Sequence, residues 1–154
     1  MASLIARELA WLEGDDLMVS PIVEVPVKAL VREGVDVSLA LTIGGEVGLS
    51  SFRALADGAG SLLISVVGPG VVDIKLQSEE MAATEVLVRV VSGLLATEDA
   101  AVTLGCAGTV LQIRHTDDRW EARTLQESPF EPIAAADVRD RITEMFGPLL
   151  EGRA

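Results

Sequence analysis

The segment from Val35 to Ile43 alternates apolar and polar side chains along its whole length. Valine, leucine and isoleucine fill every second position, and aspartate, serine, alanine and threonine fill the positions between them. Because successive side chains of a strand point to opposite faces, this pattern predicts a strand with one buried face. Such a strand needs partners for its backbone groups, so the chain has to build a sheet.

Strand signals continue after this segment and end in a helix signal. Further strands are predicted over 61–67 and 71–77, joined by the turn-forming Gly68-Pro69-Gly70. The segment 47–56 is consistent with either a second strand or a helical turn. A helix is predicted from an N-cap at Ser78 to about Ala96, with Glu79 and Glu80 at the positive end of its dipole.

The same order returns in the second half of the chain. Three strands are predicted at 101–106, 109–116 and 119–125. Pro129 and Pro132 then bracket a rigid linker, and a last helix is expected from Ala135 or Ala136, with Pro148 kinking or stopping it. Consecutive hairpins predict an antiparallel meander.

These elements predict an α+β fold, an antiparallel sheet with helices on one face, and their order suggests duplication of a β-β-β-α unit. The length suits a single domain over 1–154. Residues 1–34 would hold a helix over 3–13 and a proline-containing arm. The arm over 18–27 could be an edge strand, an extended segment or the lead into a short helix, with Pro26 in the first turn of that helix and Gly34 capping its end. The first sheet unit would span 35–96 and the second 100–150.

The net charge of the chain argues against two classes of partner. The chain carries 12 Lys and Arg against 24 Asp and Glu, a formal net charge of -12, which repels nucleic acid and anionic membranes. The first residues include Arg7 and Glu8 where a secretory leader would be apolar, and no apolar run is long enough to cross a bilayer. We therefore expect a cytoplasmic protein, and the excess of Arg over Lys with no Asn indicates a bacterial one.

Reactive side chains are scarce. Cys106 is the only cysteine and lies in an apolar strand pattern, which is typical of a small buried side chain. His115 is the only histidine and is expected at the surface near a hairpin tip. The acid pair at 79–80 fits a helix start, and Asp117-Asp118 fits a turn. We therefore expect no enzyme activity, no cofactor and no metal site.

The remaining candidates are apolar surfaces at the two ends of the chain. Each is wider than a short amphipathic element needs, and each would by default cover the protein's own sheet. If one of them stays open, it would bind a protein partner, for which a homodimer is one form. The candidate residues are Trp11, Leu17, Met18 and Ile22 near the start, and Met145, Phe146 and Leu149 in the last helix.

The segment from Gly108 to Leu150 resembles the ending of EspG-type chaperones of type VII (ESX) secretion. An acidic turn precedes an aromatic residue in a hairpin, and an extended segment then leads into an Ala-Asp helix start. The residues that carry the similarity are Asp117, Asp118, Arg119, Trp120, Ala134, Ala136 and Asp137. The run over 35–96 resembles the other sheet-then-helix half of that family, although the chain is too short for the family's usual two-part domain.

The size, acidity and element order also resemble the small acidic chaperones of type III secretion, which are usually dimeric. Both resemblances imply a cytoplasmic protein that holds an export substrate by an apolar surface. Two other functions stay open. One is a small-molecule-binding α+β domain, for which Arg114, His115 and Glu121 are the polar candidates, and the other is a structural subunit of a homo-oligomer, such as a phage or shell component.

Overall fold

The computed structural model describes most of the chain. The described residues are 10–13, 16–20, 28–56, 60–69, 71–77, 80–124 and 128–152. The chain forms two compact units, residues 1–32 and 33–154. The boundary between them lies close to the predicted start of the first sheet unit at Val35.

The first unit contains a short antiparallel hairpin. Its strands are β1 (Ala10–Glu13) and β2 (Asp16–Val19), with Trp11 opposite Met18. The helix predicted over 3–13 is therefore wrong at 10–13, and its earlier residues lie outside the described residues. So short an apolar segment fits both the helical spacing of about 3.6 residues and the strand spacing of two. As a strand, its backbone groups are satisfied by pairing with β2. Residues 28–30 are helical.

The second unit contains one sheet and two helices. The strands are β3 (Gly34–Ile43), β4 (Glu46–Leu55), β5 (Ser61–Gly68), β6 (Val71–Gln77), β7 (Ala100–Cys106), β8 (Thr109–Thr116), β9 (Arg119–Arg123) and β10 (Glu131–Ile133). The helices are α1 (Ala83–Leu94) and α2 (Asp137–Leu150).

All eight strands form one antiparallel sheet in the order β10-β9-β8-β7-β3-β4-β5-β6. This confirms the predicted α+β fold. Each half of the sheet consists of four strands that neighbour each other in sequence order, followed by a helix, and the halves meet where β3 pairs with β7. The repeated unit is therefore one strand longer than the predicted β-β-β-α.

The hydrophobic core lies between one face of the sheet and the two helices. Leu87 and Val91 of α1 and Ile142 and Phe146 of α2 are fully buried there. The fully buried sheet residues of this core are Val37, Phe52, Val102, Leu104, Leu111 and Ile113. We call this side of the sheet the helix face and the opposite side the outer face.

Two of the sequence predictions are corrected within the strands. The ambiguous segment 47–56 is the strand β4, paired on both sides, with β3 and β5. The expected rigid linker contains the strand β10, in which Pro132 is tolerated because β10 is at the sheet edge. Gly34 begins β3 and does not cap a helix.

The two helices start and end differently from the predictions. Helix α1 begins at Ala83, five residues after the expected N-cap at Ser78, which lies outside the described residues together with Glu79. Its N-cap, Ala82, makes no side-chain cap bond. Helix α2 includes Pro148 and continues to Leu150, because a proline in the last turn removes only one backbone bond.

Tight hairpin turns set the register of the sheet. The pair Gly44 and Gly45 between β3 and β4 has φ of 56° and 87°, and Asp117 and Asp118 between β8 and β9 have 51° and 59°. Two successive residues with positive φ are typical of the type I′ turn, whose twist matches the flanking strands. The acid pair thus forms a turn, as the sequence predicts.

No helix in the described part of the chain is both long and apolar enough to cross a bilayer.

A valine-to-threonine substitution should affect stability differently on the two faces of the sheet. Val102 is fully buried on the helix face, whereas Val47 on the outer face is 63% exposed. Val102→Thr should lower the free energy of unfolding by about 2 kcal/mol, because it buries a hydroxyl without a partner. Val47→Thr should change it by less than about 0.5 kcal/mol, since threonine keeps the shape and the strand propensity of valine.

Urea unfolding followed by circular dichroism measures both variants. Equal effects at the two positions would contradict the assignment of the faces.

Candidate functional site

Five exposed aliphatic side chains lie together on the outer face at the β6 end of the sheet. The register places Val66 of β5 opposite Val72 of β6, and Ile64 opposite Ile74. On β4, the side chains that share this face are the odd-numbered ones, since Ser51 pairs with Ile64. The five residues, which we call the apolar corner, are Val47, Leu49, Val66, Val72 and Leu76.

The exposure of the apolar corner is unusual because its members are contiguous. Their exposed fractions run from 49% for Leu76 to 63% for Val47. Ile64 and Ile74 lie between them and are half-buried, and Leu62, which pairs with Leu76, is fully buried and ends the exposed surface. Scattered exposed aliphatic residues are normal on a protein surface, whereas a contiguous group on three adjacent strands is typical of a binding surface.

The rest of the outer face is mostly polar, and its side chains bind one another. Arg53 donates to both carboxylate oxygens of Asp36, at 2.8 and 2.7 Å, and this hydrogen bonding raises the pKa of Arg53 above its usual value. Arg114 donates to Glu121 at 2.6 Å. On β3 the apolar corner is bounded by Ala40 and Thr42, which pair with Leu49 and Val47, and the Arg53–Asp36 ion pair lies farther along the same two strands.

A second part of this polar region surrounds Phe130. The guanidinium carbons of Arg114 and Arg123 lie 4.0 and 4.4 Å from the centre of its ring. Arg123 also donates to Gln112 at 2.6 Å, and Gln112 donates to Thr103 at 3.0 Å. These contacts hold the extended segment before β10 against the sheet.

His115 lies on the helix face near the β8–β9 turn, and it is half-buried where the sequence predicts a surface position. Its ring stacks on Trp120, with 4.3 Å between centroids, and Nδ1 lies 3.2 Å from the carbonyl oxygen of Leu95. Its neighbour Arg114, with Glu121, is on the outer face. The three polar candidates for a small-molecule pocket are thus divided between the two faces and do not meet in one site.

A cavity of about 540 Å³ opens at the end of the sheet where α1 begins and α2 ends. Glu33, Glu80 and Glu151 contribute carboxylates to its lining, and its apolar lining includes Val35, Leu55, Met81 and Leu150. Its size is within the range of small-molecule pockets. Among the described residues, no group of three or more His, Cys, Asp and Glu side chains is arranged to hold a metal ion.

The site residues predicted from the sequence lie elsewhere. Trp11 and Leu17 belong to the β1–β2 hairpin, where Met18 is 40% exposed, and Ile22 lies outside the described residues. Binding at this segment stays a prediction.

The predicted residues of α2 face the protein's own core. Phe146 is fully buried, and Met145 and Leu149 pack partly buried against the core. The broad apolar stripe of α2 thus covers the sheet, which is the default that the sequence analysis assigned to it.

Sequence reasoning missed the apolar corner for a physical reason. Strands β5 and β6 carry aliphatic residues toward both faces, so their pattern predicts burial and does not show which side stays open. The signal in the sequence was β6 itself, which has aliphatic side chains at four of seven positions and charged ones at two; in the structure none of its described side chains is buried.

Comparisons with protein-family models, with curated protein sequences and with solved structures each found no significant match to this chain.

The environment of Cys106 predicts a slow thiol. Burial raises the pKa of the Cys106 thiol, and the negative charge of Asp36 adds to this effect. Since the thiolate is the reactive form, alkylation by iodoacetamide at neutral pH should be slower in the folded protein than in urea, and the rise of its rate should occur at a higher pH than in urea. Mass spectrometry measures both rates, and equal rates would refute this prediction.

Proposed function

We propose that this chain is a non-enzymatic, cytoplasmic protein-binding domain of the secretion-chaperone type, which holds a protein substrate on its apolar corner. The observation that carries the proposal is the contiguous exposure of Val47, Leu49, Val66, Val72 and Leu76 on one face of the sheet. Covering these side chains would remove apolar surface from water, which is the main favourable term in most protein association.

The charge of the chain suits this role. A formal charge of -12 favours solubility while the apolar corner is open, and it attracts basic segments of a partner without repelling neutral ones. The Arg53–Asp36 ion pair on the same face is already formed and would not compete for the partner. The partner would therefore be held by apolar contacts and drawn in by long-range charge.

The secretion role and the bacterial origin rest on the resemblance of Gly108 to Leu150 to EspG-type chaperones and of the whole chain to small acidic type III chaperones. The sheet geometry supports the binding of a protein, and the resemblance supplies which kind of protein is held.

The cavity favours a second candidate, the binding of a small molecule. Its carboxylates from Glu33, Glu80 and Glu151 would suit a cationic ligand with an apolar part. Native mass spectrometry of the purified protein tests it. A tightly held small molecule that the cavity-filling variant Met81→Trp removes would assign the function to the cavity and not to the apolar corner.

The primary proposal is tested with an unfolded basic protein as a probe. Reduced and alkylated lysozyme, fluorescently labelled, should bind the wild-type chain in an anisotropy titration at high salt, where charge attraction is screened. The double variant Val47→Thr/Val66→Thr should bind about fivefold more weakly or worse, because two side chains of the surface lose apolar area at unchanged shape.

Val31→Thr is the matched control, since Val31 is 79% exposed and lies outside the sheet. It should leave the affinity unchanged. Equal affinity of the double variant and the wild type, or no binding of the probe by either, would refute the apolar corner as the binding surface.

A further inference from the structure

The two edges of the eight-stranded sheet differ in how they are protected. At one edge, β10 is only three residues long and contains Pro132, two features that prevent another strand from pairing. At the other edge, β6 is seven residues long and contains no proline. Among the described residues, no strand pairs with the edge of β6 that is turned away from β5, so every second residue of β6 presents its N–H and C=O groups at that edge.

The side chains of β6 are exposed on both faces of the sheet. None of its described side chains is buried, and Val71 and Val72 are 55% and 54% exposed although they point to opposite faces. Across the hairpin, Val66 and Val67 are exposed to a similar degree. An edge strand with apolar residues on both sides is held mainly by its bonds to β5, and pairing with a further strand would cover it.

The sequence of β6 is complementary to itself when reversed. Around its central residue, Ile74, Asp73 and Lys75 carry opposite charges, and Val72 and Leu76 are both aliphatic. In an antiparallel pair of two β6 strands centred on Ile74, Asp73 of each copy lies opposite Lys75 of the other. Val72 of each lies opposite Leu76 of the other, and the two Ile74 side chains face each other.

We propose that two copies of this chain associate through their β6 edges, antiparallel and centred on Ile74, to form one continuous sheet. Such an interface is isologous, as a two-fold dimer requires, because each contact occurs twice. A lysine on an edge strand ordinarily deters pairing, but here the second copy offers Lys75 a carboxylate. The side chains of Asp73 and Lys75 are 47% and 63% exposed and 3.4 Å apart, so both are accessible to the second copy.

The dimer has a consequence for the outer face. Val72, Ile74 and Leu76 of both copies share that face, so the two apolar corners become neighbours on one surface. The association does not depend on the proposed function, since it rests on the edge and not on what the outer face binds.

A charge exchange tests the pairing directly. Sedimentation equilibrium over a concentration series should show a dimer for the wild type. Asp73→Lys places lysines opposite each other across the interface, and Lys75→Asp places aspartates opposite each other, so each variant alone should dissociate about tenfold more readily or worse. The double variant Asp73→Lys/Lys75→Asp restores opposite charges and should dimerise like the wild type.

Mixing the two single variants separates the contact between copies from the contact within one strand. Each variant alone has like charges at positions 73 and 75 of its own strand. In the mixture, the two lysines of one variant lie opposite the two aspartates of the other. The mixture should therefore form a one-to-one heterodimer, although neither component dimerises well. Glu85→Lys is the control, because it breaks an equally exposed ion pair, with Arg139, on the helices and should leave the dimer intact.

A monomeric wild type throughout the concentration series would overturn the proposal and leave the β6 edge to a different protein. A dimer that persists unchanged in both single variants would also overturn it. Circular dichroism is the check that each variant is folded. Because the side chains at positions 73 and 75 are exposed, we expect these substitutions to leave the fold intact.

Discussion

The pairing of β3 with β7 is the contact on which the rest of the second unit depends. Six residue pairs, from Ser38 with Gly105 to Ile43 with Ala100, join the two four-strand halves into one sheet. The approach is tight at one end, where a Cβ on Gly105 would lie 2.8 Å from the Ser38 hydroxyl, and that hydroxyl donates to the Gly105 carbonyl at 3.0 Å. Without this seam, neither α1 nor α2 would have a full sheet face to cover.

The two halves that the β3–β7 pairing joins carry different side chains on the outer face. Two helices cover the helix face across both halves, so both halves contribute the same kind of aliphatic residue there. On the outer face of the half with β7 to β10, polar side chains bind one another around Phe130. The half with β3 to β6 ends in aliphatic side chains that stay exposed. The two halves share a topology, and the exposed apolar side chains of the outer face are on the first half.

Much of the fold follows from local pattern, and the exceptions have physical causes. The strict alternation of Val35 to Ile43 and the turn residues Gly44-Gly45 and Asp117-Asp118 determine strands and register over short distances. The strand at β10 could not be found in this way, because three residues with a central proline form a strand only when β9 offers an edge. The hairpin of Ala10 to Val19 likewise depends on a partner strand and not on the spacing of its apolar residues. The apolar corner is even harder to predict from the sequence, because the face that the helices cover depends on the assembled sheet.

We propose above that the apolar corner is the surface that binds a partner. Methyl-detected NMR of the chain, labelled at valine, leucine and isoleucine and titrated with unfolded lysozyme, tests it residue by residue. Binding at the apolar corner should change the shifts of the methyl groups of Val47, Leu49 and Val66 and leave those of the core residues Val102 and Leu104 unchanged. Changes confined to Leu149 of α2, or to Val35 and Leu55 in the cavity, with the apolar corner unaffected, would contradict it.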